Sequence, residues 1–285
     1  MKKISLLLWV LCLSMPLFAQ KSTTIKGFVK QKRNSIVKLF SVEKGECKTL
    51  LTSNIGDDGA YEFSFVPEEP GFYAISDFRV NYPIYVKGGE QINVDLLEKK
   101  AVLTGENTRE NKALYQWEDF ANSIRYQSVV PLVMQTTYKE FFPEFTEFLT
   151  KIDSIKGAIS SGDLEFDALI RKKIDYDVDY CAMMFLLSSR KPPRSDWPAY
   201  YDIILADEKF ISDELLLLPE GLSTLIMYYN YTYYVDVPKE GEAFFTNTRL
   251  RGELLLYLFS IRARYYSDYE EFISENSKIL TEELP

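Results

Sequence analysis

The apolar residues of this chain change their spacing near residue 105. Across residues 24–105 they alternate with polar residues, as in Ile92, Val94 and Leu96. Successive side chains of a strand point to opposite faces, so this alternation predicts half-buried strands. After Thr108 the apolar residues recur every three or four positions, which predicts helices. The sequence therefore predicts an α+β chain with the β part first.

Turn-forming segments divide the first half into short strands. Glycine, proline and acidic residues cluster at Glu43–Gly45, Gly56–Gly59, Glu68–Gly71 and Lys87–Glu90. About seven strands separated by turns at this spacing predict an antiparallel β-sandwich, which we place at residues 21–105. Two of these turns invite a functional interpretation. Asp57 and Asp58 supply too few oxygens for calcium, and no helix start follows Gly88 and Gly89 to bind phosphate.

The second half, residues 106–285, is predicted to be an all-α domain of about six to eight helices. Breaks are expected at Lys191–Arg194 and Pro219–Gly221, where proline interrupts the pattern. Three apolar stripes at helical spacing support the prediction: Leu114, Trp117, Ala121 and Ile124; Phe141, Phe145, Phe148, Ile152 and Ile155; Leu250, Leu254, Leu258, Ile261 and Tyr265.

The first nineteen residues have the features of a secretory signal peptide. Lys2 and Lys3 precede an apolar run, Ile4–Leu13, which is too short to span a bilayer. Ala19 then provides a small residue before an expected cut at Gln20 or Lys21. The alternative is an uncleaved membrane anchor; a lipoprotein is disfavoured because bulky Leu11 precedes Cys12. We expect a periplasmic or otherwise exported protein of the bacterial cell envelope, with no membrane span after removal of the signal.

The overall charge disfavours nucleic acid as a partner. The net charge is −9, and loss of Lys2 and Lys3 with the signal makes it −11. Phosphate backbones require clustered Lys and Arg. The densest basic run, Lys30–Arg33, is better explained as a solvated turn.

Two cysteines remain after the signal, Cys47 and Cys181, one in each half. An oxidising compartment would permit a disulfide between them. Cys181 lies on a helical apolar stripe with Ile174 and Phe185, so a buried thiol is the favoured interpretation.

The densest carboxylate run is Asp175–Asp179. On a helix Asp175 and Asp179 share a face, which would suit a metal or an acid–base pair. The run departs from a calcium loop, with Tyr180 at the sixth position and Leu186 at the twelfth. A solvated helix face is the favoured interpretation. No cofactor or metal site is predicted anywhere in the chain.

A tyrosine cluster is the one candidate ligand or partner surface. Such rings can line a groove for sugars or peptides, and tyrosine is enriched at interfaces. The alternative is that the rings complete a core while their hydroxyls reach its edge. The cluster comprises Tyr228, Tyr229, Tyr231, Tyr233 and Tyr234.

Several segments resemble the N-terminal region of TlpA-like thioredoxin proteins of bacterial cell envelopes. They are Gly59–Phe65, Pro70–Tyr73, Tyr85–Glu90, Leu103–Lys112, Trp197–Tyr201, Asp207–Phe210 and Leu215–Pro219. The resemblance implies a β-sandwich domain of unknown function followed by a helical segment. In that family a thioredoxin domain ends the chain.

The chain departs from that family where the redox chemistry would lie. It has no Trp-Cys-x-x-Cys, the motif that holds a reactive thiolate at a helix start, and it ends at Pro285 without the thioredoxin domain. The resemblance thus implies either a truncated product or a stand-alone relative. It also implies a protein partner in the envelope, for example a separate thioredoxin-domain protein.

Three functions remain open from the sequence. The favoured one is an exported, non-catalytic accessory or binding module. The second is a carboxylate-dependent hydrolase of glycans or peptides, since glycosidases need no histidine and the chain has none. The third is a redox role through Cys47 and Cys181, which the placement of the two cysteines in different halves disfavours. The ligand and the oligomeric state are open.

Overall fold

The computed structural model shows an α+β protein, which confirms the predicted fold class. It describes residues 21–78, 80–129, 136–187, 192–204, 210–234 and 247–264, together with 270 and 274. The predicted signal peptide lies outside the described residues. Within them, no helix combines the length and apolar character that crossing a bilayer would require.

Eight strands form two four-stranded sheets. The strands are β1 (Thr23–Phe28), β2 (Ile36–Glu43), β3 (Glu46–Asn54), β4 (Ala60–Phe65), β5 (Gly71–Ser76), β6 (Asn81–Val86), β7 (Gln91–Leu96) and β8 (Ala101–Leu103). The first sheet has the order β4-β1-β7-β8 and is called here the outer sheet. The second has the order β3-β2-β5-β6 and is called the middle sheet. All pairs are antiparallel except β1 with β7, a parallel pair that the sequence did not predict.

The predicted alternation is confirmed in the outer sheet. Ile25, Phe63 and Ile92 are buried, and Lys26 and Glu62 between them are not. This sheet therefore packs one face on the core and leaves the other to solvent, as antiparallel sheets commonly do.

Strands β5 and β6 of the middle sheet are buried on both faces. Five consecutive residues of each strand are buried, from Phe72 to Ser76 and from Tyr82 to Val86. One face meets the outer sheet, and the other meets the helical half, where Phe166 packs 4.7 Å from the Tyr85 ring. The middle sheet thus lies between the outer sheet and the helices in a three-layer arrangement.

Seven α-helices follow in the part of the chain that the structure describes. They are α1 (Arg109–Val129), α2 (Tyr138–Leu149), α3 (Ile152–Ala158), α4 (Leu164–Leu187), α5 (Tyr200–Ile203), α6 (Gly221–Tyr234) and α7 (Thr248–Ala263). The same part also contains two 3-10 helices, at Arg194–Asp196 and Asp213–Leu217. Helix α4 lies at the centre of the helical half and contacts α1, α6 and the second 3-10 helix.

The described residues of the three apolar stripes lie on helices, and Tyr265 of the third stripe lies outside the described residues. Leu114, Trp117, Ala121 and Ile124 are buried on α1. The second stripe, predicted as one helix, is split between α2 and α3 at Thr150, although Phe141, Phe145, Phe148 and Ile152 all remain buried. Helix α2 starts with a capping box in which Thr137 and Glu140 satisfy each other's backbone N–H groups.

The segment Leu103–Lys112 joins the two halves by side-chain hydrogen bonds to strand positions that have no neighbouring strand on that side. Asn111 is fully buried, accepts from the Tyr85 N–H at 2.9 Å and donates to the Tyr85 carbonyl at 2.7 Å. Its amide therefore occupies the place of a neighbouring strand beside β6. Asn107 likewise accepts from the Asn93 N–H at 3.0 Å. These bonds satisfy backbone groups that would otherwise be left unpaired.

The β2–β3 hairpin makes a second junction. Lys44 and Gly45 both have positive φ, as a two-residue hairpin turn requires. Gly45 donates its N–H to the Leu216 carbonyl at 2.7 Å and accepts from the Leu222 N–H at 3.1 Å. A Cβ on Gly45 would lie 2.6 Å from the Leu222 nitrogen, so only glycine allows this approach. The two halves share one continuous hydrophobic core.

Candidate functional site

A groove opens between the middle sheet and the helical half. Strands β2, β3 and β5 and the β4–β5 connection line one side. The start of α4 and the second 3-10 helix line the other. The groove encloses about 820 Å³, which lies within the usual range for ligand pockets.

Large apolar side chains are exposed along this groove. Leu50, Val66 and Leu217 are 43%, 44% and 56% exposed. A single exposed apolar residue is ordinary on a protein surface. Three that line one cavity, together with half-buried Leu51 and Phe65, make a contiguous apolar patch of the kind found at interaction sites.

Five carboxylates surround the apolar patch, and none of the described lysine and arginine residues lines the groove. The five are Glu43, Glu68, Glu69, Glu165 and Glu214. Within the described residues, Glu43, Glu69, Glu165 and Glu214 form no ion pair. Burial and the nearby charges of Glu68 and Glu69 raise the pKa of Tyr73, which also lines the groove. The groove is therefore negatively charged as well as apolar.

Tyr85 places a polar atom at the floor of the groove. Its side chain is 6% exposed, and its hydroxyl makes no hydrogen bond to any described residue. Burial, followed by the charges of Asp163, Glu165 and Glu110, raises the pKa of this hydroxyl to about 12. Tyr85 thus keeps a neutral hydroxyl in reach of a ligand.

A second cluster of charged side chains, called here the interface network, contains both carboxylates and cations and lies between the sandwich and the helices. Arg125 of α1 pairs with Glu118, and it lies 3.2 Å from Asp177 of α4. Lys173 lies 2.6 Å from Asp177 and 3.3 Å from Glu118. The Trp117 indole donates to Asp177 at 2.7 Å. Every charge in this cluster therefore has an opposite charge within contact distance.

The charges of the interface network hold one another in their ionised forms. Burial alone would raise the pKa of Glu118, but Arg125 and Lys173 outweigh burial and hold it below its ordinary value. Burial would lower the pKa of Lys173, yet Asp177 and Glu118 keep it raised. Glu220 lies beside the network without a partner in it, and burial raises its pKa. A cavity of about 20 Å³ leaves room for water alone.

The run Asp175–Asp179 is not the solvated face that the sequence favoured. Asp175 is half exposed and pairs with Lys156 at 2.8 Å, but Asp179 is fully buried. Asp179 accepts a hydrogen bond from the Tyr200 hydroxyl at 2.6 Å and another from the Tyr228 hydroxyl. The prediction failed for Asp179 because distant tyrosines on α5 and α6 provide the bonds that make burial tolerable. Within the described residues, no group of acidic or cysteine side chains has metal-binding geometry.

The tyrosine cluster divides between core and edge. Tyr228 and Tyr231 are fully buried, and Tyr231 donates to the Tyr201 carbonyl at 3.0 Å. For these two residues the structure supports a place in the core, not on a ligand surface. Tyr229 is half-buried against the core. The side chains of Tyr233 and Tyr234 lie outside the described residues.

Both cysteines are free thiols. The predicted burial of Cys181 is confirmed, and burial raises the pKa of its thiol to about 11. Cys47 is half-buried and donates to the Pro219 carbonyl at 3.5 Å. Burial, and next the charge of Glu220, raises its pKa to about 12. Because both pKa values are raised, neither thiol ionises readily at neutral pH.

No family model matches the chain, and a search of curated proteins finds no significant match.

Proposed function

We propose that this chain is an exported, non-catalytic accessory module that binds a protein partner in the bacterial cell envelope. The observation that carries the proposal is the groove between the two halves. It combines exposed apolar side chains, carboxylates that form no ion pair with a described residue, and the Tyr85 hydroxyl, which makes no hydrogen bond to a described residue. A contiguous exposed apolar patch of this kind is typical of an interaction site.

A relationship to the N-terminal region of TlpA-like thioredoxin proteins is part of the proposal. The order of the two halves, a β-sandwich followed by helices, agrees with what the resemblance implied. The segment Leu103–Lys112, which carried much of that resemblance, supplies Asn107 and Asn111 at the junction. A segment that holds the two halves together in this way supports an architecture shared with such proteins. The partner we propose is a separate envelope protein, for example one with a thioredoxin domain.

The interior offers less support for the other two functions. Disulfide exchange needs an accessible thiolate, and burial raises the pKa of both Cys47 and Cys181. A carboxylate hydrolase needs one carboxyl group whose pKa is raised to hold a proton beside one that stays ionised. Glu220, whose pKa is raised, lies beside Glu118, whose pKa is lowered, but the two cavities that this pair lines measure only about 20 and 110 Å³. Both are smaller than a pocket for a glycan or peptide.

The decisive experiment has a redox arm and a binding arm. Insulin reduction by dithiothreitol should proceed at the reagent-only rate with the wild type and with a Cys47→Ser, Cys181→Ser double variant. A clear rate that the double variant loses would replace the proposal with the redox function. In the binding arm, cross-linking in intact envelopes should capture a defined protein through a photo-reactive residue at position 217 but not at position 62, which lies on exposed β4 outside the groove. Equal capture at both positions would contradict a groove-bound partner.

Export is tested separately. N-terminal sequencing of the protein from the envelope fraction should begin at Gln20 or Lys21. Full-length protein in the cytoplasm would contradict export and, with it, the envelope location of the proposed partner.

A further inference from the structure

We infer that the groove binds a cationic, amphipathic peptide segment of the partner, in which Lys or Arg side chains accompany apolar ones. This inference rests on the proposed binding function and names the chemistry of the partner.

The charge of the occupant follows from the groove's own charges. Glu165 at the start of α4 and Glu214 of the second 3-10 helix lie on the helical side, and Glu43 and Glu69 lie on the sheet side. Among the described residues no cation lines the cavity, so these carboxylates reinforce one another's potential. An anionic occupant, such as nucleic acid or an acidic membrane surface, would be repelled. A cationic occupant is the complementary one.

The apolar character of the occupant follows from Leu50, Val66 and Leu217. Their exposed surfaces would gain by burial under aliphatic or aromatic side chains. A small hydrophilic cation would leave that surface in water. A segment that carries both kinds of side chain would neutralise the carboxylates and bury the apolar side chains at the same time.

The Tyr85 hydroxyl supports a peptide as the occupant. It is held neutral, because burial raises its pKa to about 12, so it can donate or accept a hydrogen bond. Peptide backbone supplies both carbonyl and N–H groups along its length. The Tyr85 hydroxyl lines the groove without a hydrogen bond to a described residue, so it is available to bond one of them.

A second copy of this chain is a less fitting occupant. Its densest basic run, Lys30–Arg33, already bonds within its own molecule: Lys30 lies 3.3 Å from Asp95, and Arg33 lies 3.0 Å from Glu98. Docking would require those pairs to break. A partner with uncommitted cations avoids that loss.

The test uses short fluorescently labelled peptides and anisotropy titrations with the purified chain. The probe alternates lysine with leucine; one control peptide alternates lysine with serine, and another alternates glutamate with leucine. We expect the lysine–leucine peptide to bind and both controls to bind at least about tenfold more weakly. Binding should weaken as salt is added.

Matched variants locate the binding. A Glu165→Lys, Glu214→Lys double variant should weaken binding of the lysine–leucine peptide by about tenfold or more. Leu217→Ser should weaken it with no change in its salt dependence, and Tyr85→Phe should weaken it severalfold. Glu62→Lys, a charge reversal on exposed β4 outside the groove, should leave binding unchanged. Circular dichroism and a urea midpoint for each variant verify folding.

Each adverse outcome has one meaning. Failure of the lysine–leucine peptide to bind, or binding that the groove variants do not weaken, would overturn the inference. Equal binding of the lysine–serine peptide would overturn the apolar part. A chain that sediments as a dimer, and becomes monomeric with Glu165→Lys, would identify a second copy as the occupant. If the inference fails while cross-linking through position 217 still captures a protein, the proposed function stands with a partner of other chemistry.

Discussion

The interface network and the groove are both rich in carboxylates, and they differ in how those charges are treated. In the network, Glu118 and Asp177 are enclosed and contact Arg125 and Lys173 directly. In the groove, carboxylates such as Glu165 face solvent without ion pairs. The carboxylates of the interface network are therefore paired with cations of the same chain, whereas these carboxylates of the groove are not.

The difference separates stability from binding. Charges that are removed from water must be paired, since an uncompensated buried charge costs several kcal/mol. The interface network meets this requirement and joins α1 to α4 beneath the sandwich. Exposed carboxylates contribute little to folding but set the potential that a partner meets. Substitution in the two clusters should therefore affect different measurements.

The largest effect is expected from Lys173→Met. The substitution leaves Glu118 and Asp177 with Arg125 alone, and the loss of one partner from a buried ion cluster costs about 3–5 kcal/mol. Urea unfolding followed by circular dichroism measures the change.

Lys151→Met is the matched control for that variant. Lys151 pairs with Glu147 at the same four-residue separation as Lys173 with Asp177, but the pair is exposed. We expect no measurable loss of stability. Equal loss in the two lysine variants would remove the distinction between enclosed and open charges.

The sequence predicted what depends on short-range periodicity. Alternation at Ile92, Val94 and Leu96 and the helical stripe through Trp117 identified strands and helices because neighbouring residues alone determine those patterns. The double-sided burial of β5 and β6 has a signal in their unbroken apolar runs. That signal does not say which layer covers the second face.

The next effect compares two buried tyrosine hydroxyls on α6. Tyr228→Phe removes a hydrogen bond to the buried carboxylate of Asp179 and should cost about 2 kcal/mol. Tyr231→Phe removes a bond to the neutral carbonyl of Tyr201 together with a contact to the exposed guanidinium of Arg194, and it should cost about 1 kcal/mol. Urea midpoints compare the pair directly. A larger loss for Tyr231→Phe would show that Asp179 does not depend on the Tyr228 hydroxyl.

A smaller, pH-dependent effect is expected at the edge of the interface network. Burial raises the pKa of Glu220 above the ordinary 4.5, so its ionisation in the folded state is disfavoured. Its contribution to stability is fully present below pH 4.5 and is lost as pH rises through the raised pKa. Glu220→Gln should therefore raise the urea midpoint at pH 7 and leave it unchanged below pH 4.5.

Glu118→Gln is expected to change stability in the opposite direction. The pKa of Glu118 is lowered, so its contribution is present above pH 4.5 and is lost as pH falls through the lowered value. This variant should lower the midpoint at pH 7. Gains in both variants would mean that the network carries more negative charge than its cations can hold.

Neither cluster could be located from the sequence alone. Glu118 and Asp177 lie fifty-nine positions apart, and Glu43 and Glu165 come from different halves, so their proximity depends on tertiary packing. The tyrosines on α6 stood out because they adjoin one another in the chain. The exposed leucines of the groove did not, since a lone apolar residue at a surface position carries no local signal.

The smallest effect on stability, and the sharpest measure of the groove, is expected from Glu165→Gln. An exposed carboxylate without an ion pair should change the free energy of unfolding by no more than about 0.5 kcal/mol. The substitution should nevertheless lower the pKa of the Tyr85 hydroxyl. Burial and the charge of Asp163, followed by that of Glu165, raise this pKa to about 12, and removal of one contributing charge reduces the shift.

NMR titration of ¹³C-labelled tyrosine follows the hydroxyl, and Tyr85→Phe assigns its resonance. Glu62→Gln, outside the groove, should leave the titration unchanged. If Tyr85 titrates identically in the wild type and in Glu165→Gln, the charge of Glu165 does not affect the Tyr85 hydroxyl. The groove and the interface network would then differ only in how far their carboxylates are exposed to solvent.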